Sequence, residues 1–92
     1  MLIWWLVMDK QKKTDFDMAV IERVIKKREE LGLSQYDIAT MLELSRGFIG
    51  QIESPKFASK YNLNHLNKLA FEMGCSPQDF IPKAVVKEKD WK

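Results

Sequence analysis

Apolar residues recur at Val20, Ile21, Val24, Ile25 and Leu31, the spacing of one helical face. Asp17 offers a start and Gly32 a stop. Lys26, Lys27 and Arg28 stand late in the segment, where cations complement the helix dipole. A first helix is predicted over residues 17–31. Ser34 and Asp37 form a Ser-x-x-Asp opening able to cap the backbone amides of a new helix. That second helix, 35–42, takes its inner face from Ile38, Ala39 and Leu42. After a turn at Glu43 and Leu44, Ser45 is a further N-cap. A third helix over 46–53 buries Ile49 and Ile52 at i and i+3, and it cannot run past Pro55.

Residues 54–62 read as a loop, and Asn62 can cap a fourth helix. Its apolar stripe is Leu63, Leu66, Leu69, Ala70 and Met73, and Gly74 closes it. Ser76 then precedes Pro77, a cap followed by proline at the first helical position. This opens a short fifth helix through Phe80 and Ile81, which Pro82 ends. No strand-period alternation, repeat or low-complexity tract is visible. The expected architecture is all-α: a five-helix domain over 17–82, with an N-terminal extension, 1–16, and a charged C-terminal tail, 83–92.

A length of 92 residues gives one modest core and no separate catalytic domain. With 46% hydrophobic and 30% charged residues, the chain is expected to fold rather than stay disordered. Cys75, the lone cysteine, cannot form an internal disulfide, and His65 alone supplies too few soft ligands for zinc. No metal or cofactor is expected, and a reducing cytoplasm suits the composition. His65 falls off the apolar stripe and is expected to be exposed. Neither it nor Cys75 has a recognisable catalytic partner, so no enzymatic activity is expected.

The run 1–8, Met-Leu-Ile-Trp-Trp-Leu-Val-Met, is strongly apolar yet far short of the roughly 20 residues that span a bilayer. It also lacks the positive segment that precedes a signal-peptide core. Three readings are open. Met8 is the true start, or the run is a strand-like dimer contact. The third is a shallow interfacial anchor, with Trp4 and Trp5 at headgroup level and Lys10, Lys12 and Lys13 behind them.

A net charge of +2 does not by itself point to nucleic acid. Over 44–62, however, Arg46, Lys56 and Lys60 stand against Glu53 only, so the stretch is locally basic if Glu53 is internally paired. The third helix buries Ile49 and Ile52 and leaves Arg46, Gly47, Gly50 and Gln51 outward. Such a small polar face fits the DNA major groove, where arginine reaches the acceptors of guanine and glutamine pairs with adenine. The other reading is a solvated helix face in an ordinary bundle.

The run Arg28-Glu-Glu-Leu-Gly-Leu-Ser-Gln-Tyr-Asp-Ile-Ala39, followed by Leu44-Ser-Arg-Gly-Phe-Ile-Gly-Gln-Ile-Glu53, resembles the Cro and phage-repressor family of helix-turn-helix regulators. Leu66-Asn-Lys-Leu-Ala70 and Gly74-Cys-Ser-Pro77 fit the same pattern, so the resemblance covers about 20–81. It implies a five-helix, lambda-repressor-like domain with a helix-turn-helix near 34–53, binding double-stranded DNA as a homodimer on an inverted repeat. By the same resemblance Gln35 touches a phosphate and braces the recognition helix, whose base-facing positions are Arg46, Gly47, Gly50 and Gln51. Arg46 and Gln51 are the candidates for direct readout. The glycines permit close approach while weakening the helix by roughly 1 kcal/mol each relative to alanine.

Ser45 and Phe48 match positions that meet the sugar-phosphate backbone; Phe48 either packs on a thymine methyl or turns into the core. Lys56 and Lys60 contact phosphates or stand as solvated loop charges. Arg28 and Glu53 match an internal ion pair. Three departures stand out. Glu43 occupies a turn position where the family commonly has glycine, and a left-handed backbone there costs roughly 1 kcal/mol or more, which points to a different turn geometry. Pro55 replaces another frequent glycine, and Cys75 replaces a buried aliphatic residue. The expected function is a dimeric, sequence-specific transcriptional regulator, a repressor. The alternatives are an antitoxin that also binds a toxin through the apolar N-terminus or the tail, and a protein-interaction module that kept the fold without DNA binding.

Overall fold

Thr14, not Asp17, opens the first helix. The computed structural model describes residues 13–92, and the readings placed on the apolar run 1–8 lie outside them. Helix α1 spans Asp15–Glu30. The Thr14 hydroxyl accepts from the Asp17 amide at 3.0 Å and the Asp17 carboxylate accepts from the Thr14 amide at 3.0 Å, a reciprocal box that makes Asp17 the third helical residue. Gly32, at φ +70°, turns the chain out of the helix, and the Leu33 amide donates back to the Arg28 carbonyl at 2.9 Å.

Helices α2 (Gln35–Leu42) and α3 (Arg46–Glu53) have the bounds that their caps predict. Ser34 and Asp37 cap each other's amides, and the Ser45 hydroxyl accepts from the Phe48 amide at 3.1 Å. Between the helices Glu43 takes φ 57° and ψ 42°, the left-handed conformation. The expectation of a different turn geometry is therefore overturned. The Glu43 and Leu44 amides donate to the carbonyls of Thr40 (3.3 Å) and Ala39 (2.9 Å), so the turn satisfies the open end of α2 and offsets the strain at Glu43.

Helix α4 runs over Leu63–Met73 and closes at Gly74, φ +69°. Asn62 caps it, and His65 Nδ1 accepts from the Asn62 amide at 3.1 Å in return. His65 is consequently half-buried rather than exposed, its ring edge-on to Tyr61 with centroids 6.2 Å apart. Leu63, assigned to the apolar stripe by spacing, is 79% exposed: it is the first residue of the helix, beyond the edge of the core, and the buried stripe starts at Leu66.

The expected fifth helix is a single 3-10 turn, Pro77–Phe80, so the described residues form four α-helices and a 3-10 turn. Its bonds close over three residues, Asp79 amide to Ser76 carbonyl at 2.9 Å and Ile81 amide to Gln78 carbonyl at 3.1 Å. Ile81 precedes Pro82, whose ring disfavours the helical region for its neighbour, and Ile81 is extended at φ −107°, ψ 125°. No room is left for a full α-turn.

The core joins Val20, Ile21 and Val24 of α1 to Ile38, Ile49, Ile52, Leu66, Leu69, Met73 and Phe80. Helices α2 and α3 pack closely on each other, α4 lies against α2, and the 3-10 turn bridges α1 and α4. The charged tail returns to this body. Glu88's carboxylate accepts from the Asp15 and Phe16 amides at 2.8 and 3.0 Å, placing an anion on the open N-terminus of α1. Among the described residues no helix is long and apolar enough to cross a membrane.

Candidate nucleic-acid interface

Ile49 and Ile52 anchor α3 and are fully buried. On its far side Arg46, Gly47 and Gln51 are exposed, and Gly50 is half-buried. A methyl at Gly47 would meet nothing within 4 Å, and one at Gly50 would meet only Gln35 Oε1, at 3.7 Å, an ordinary contact. No crowding among the described residues requires either glycine. Among the described residues nothing fills the space in front of Gly47.

The helix is held at its far end by a polar junction. Arg28 reaches Glu53 through two bonds, Nε to Oε2 and NH2 to Oε1, both 3.0 Å, and through NH1 it donates to the Leu33 carbonyl at 3.0 Å. The two side chains are 14% and 8% exposed, so the pair is largely withdrawn from water. Gln35 Nε2 donates to the same Glu53 oxygen at 2.9 Å. The junction therefore joins α1, α2 and the end of α3, and it neutralises the only acid between 44 and 62.

The remaining candidates lie around α3 in differing states. Phe48 is half-buried and packs against the core, the inward of its two readings. Ser45 is exposed and engaged as the cap of α3. Ser59 Oγ donates to Gln51 Oε1 at 3.5 Å, and the Gln51 amide nitrogen donates to no group among the described residues. Lys56 is exposed in the loop after α3. Lys60 is engaged elsewhere: its ammonium pairs with Asp17 at 3.1 Å, tying that loop to the start of α1.

Burial pushes the Asp17 carboxyl up, but the Thr14 amide, Lys60 and the Thr14 hydroxyl together outweigh it and hold it below the ordinary carboxylate range. Cys75 is half-buried and free, and burial raises its thiol above the usual value.

Sequence reasoning missed two groups beside α3. Lys13 Nζ donates to the carbonyls of Gln51 (3.1 Å), Ile52 (2.5 Å) and Ser54 (2.5 Å), at the C-terminal end of the helix. Burial lowers the Lys13 ammonium below its ordinary value, with Asp17 opposing the shift. A contact spanning 38 or more residues leaves no local mark in the sequence. Tyr61, nominally a loop residue, is buried, and its hydroxyl has no hydrogen-bond partner among the described residues. Burial, then the nearby Glu53 charge, raise that hydroxyl well above the usual phenol range against the opposing effect of Arg28.

No protein-family model and no curated protein matches the chain. Solved structures do. The restriction-modification controller protein C.AhdI from Aeromonas hydrophila is similar at 25% identity and a TM-score of 0.59, over 70% of this chain and 94% of that one. An HTH_3 family transcriptional regulator from Vibrio cholerae is similar at 26% identity and a TM-score of 0.59, over 71% of this chain and 35% of the other. A hypothetical transcription factor, NHTF, from Neisseria shares the fold at 19% identity and a TM-score of 0.62, over 74% of this chain and 76% of that one. These neighbours are described as a controller protein, a hypothetical transcription factor and a transcriptional regulator. By its structure, the chain matches HTH_3 family transcriptional regulators and the controller protein C.AhdI, helix-turn-helix proteins of the Cro/C1 type.

Proposed function

We propose that the chain binds double-stranded DNA as a homodimer on an inverted-repeat operator and represses transcription. The observation that carries this reading is the outward strip of α3, Arg46, Gly47, Gly50 and Gln51, with glycines that no crowding among the described residues requires. Placed in the major groove, Arg46 reads guanine O6 and N7, and Gln51 reads adenine with an amide whose donor is unengaged. The glycines let the helix backbone approach the bases. Gln35, Ser45, Lys56 and the amides at the start of α2 and α3 set the register on phosphates. Lys60 joins them only by releasing Asp17.

Phe48, packed inward, steadies the helix rather than reading a thymine. The Arg28–Glu53 pair keeps the α3 end rigid and removes from the DNA-facing side a carboxylate that would repel phosphates.

Selection of bound duplexes from a random library by the purified chain, repeated at several salt concentrations, tests the proposal. Enrichment of an inverted repeat with affinity that falls steeply with salt is expected. A folded chain that enriches no sequence even at low salt would overturn it.

A further inference from the structure

Helix α3 is eight residues long and contains Gly47 and Gly50, so on its own it would scarcely hold together. The last carbonyls of any helix lack partners within it. Here the Ser54 amide donates to Gly50 and Gln51, and Lys13 covers the carbonyls of Gln51, Ile52 and Ser54. An ammonium has three hydrogens, and three carbonyls receive them, so none remains for a phosphate. The charge also sits at the negative end of the α3 dipole. Lys13 is itself anchored: Thr14, its neighbour, caps α1, whose first amides are held by Glu88.

We infer that Lys13 is a positioning residue for DNA reading, a clamp on the C-terminal end of α3 that holds Arg46 and Gln51 in their reading geometry before DNA arrives. The inference rests on α3 being the recognition helix. Lys13 touches no base and no phosphate; it acts through the helix it closes.

The test uses the full chain, with Lys13→Met and Lys13→Arg, on the duplex obtained by library selection, together with amide hydrogen exchange in the absence of DNA. Lys13→Met keeps the apolar stem and loses the donors. It should weaken specific binding at least tenfold while leaving the slope of log affinity against log salt unchanged, and Lys13→Arg should recover part of the loss. Amides in the last turn of α3 should exchange at least tenfold faster, with those of Leu69 and Ala70 in α4 unchanged.

A slope shallower by about 0.9 in Lys13→Met would mean that a phosphate contact had been lost, and would overturn the positioning role. Protection lost throughout the domain would make Lys13 a support of the whole fold and overturn it equally, as would unchanged binding and exchange. Should the unsubstituted chain bind no DNA, the recognition-helix reading falls, and the exchange data alone still decide for or against the clamp.

Discussion

Glu53 is the residue on which most of the site converges, since one carboxylate accepts from Arg28 and Gln35 and closes the end of α3. Glu53→Gln leaves Arg28 largely buried without its counter-charge, which should cost a few kcal/mol and lower Tm and DNA affinity together. An unchanged melting temperature would show that the junction carries no weight. Asp17 gives the acid limb of stability. Its carboxyl is depressed in the folded state, so its contribution is complete above the unfolded value near 3.8 and is lost as pH falls through the lower folded value. Thermal melts from about pH 7 down to about pH 2 should show stability falling below about pH 4, and Asp17→Asn should flatten part of that fall. At the proposed reading face, Arg46→Ala should cost about 1 to 3 kcal/mol and relax preference at one base position, whereas Lys56→Ala should weaken all sequences alike. A binding profile over single-base variants separates the two.

At the scale of elements, the glycines of α3 set stability against contact. Gly47→Ala adds a methyl into empty space and exchanges a poor helix former for the best one, so the free protein should gain about 1 kcal/mol. If DNA comes as close as proposed, the same change should weaken operator binding. A rise in both Tm and affinity would place the DNA elsewhere. The elements that the sequence made legible are those with a side-chain cap beside an apolar step. Ser34 with Asp37, Ser45 before Ile49, and Asn62 before Leu66 each set a boundary that the structure keeps. Thr14 carried the same signal with Asp17 but lay inside what read as polar linker, and the first helix was expected to start late. The 3-10 turn was obscured because Ser76 and Pro77 announce a helix while Pro82, through Ile81, cuts it short.

Across the whole molecule, what the sequence concealed lies in contacts between its ends and its middle. Lys13 reaches Ser54 across 41 residues and Glu88 reaches Asp15 across 73, and no periodicity records such pairs. The tail read as charge alone, yet Glu88 gives α1 a carboxylate cap and Val86 is partly buried against the body. Glu88→Gln should cost roughly 0.5 to 2 kcal/mol, measured by denaturant unfolding, with the loss shrinking as salt rises. The outward strip of α3 was legible because two buried isoleucines define the opposite face of the helix. Its supports came from elsewhere in the chain.

The left-handed turn at Glu43 bears on the unfolded chain as much as on the folded one. Glycine there would relieve roughly 1 kcal/mol of folded-state strain, but it would also widen the unfolded ensemble by a comparable free energy. The two nearly cancel. A glutamate can therefore drift into a glycine's position without bending the motif, and turn composition is a poor guide to whether two helices of this kind keep their geometry.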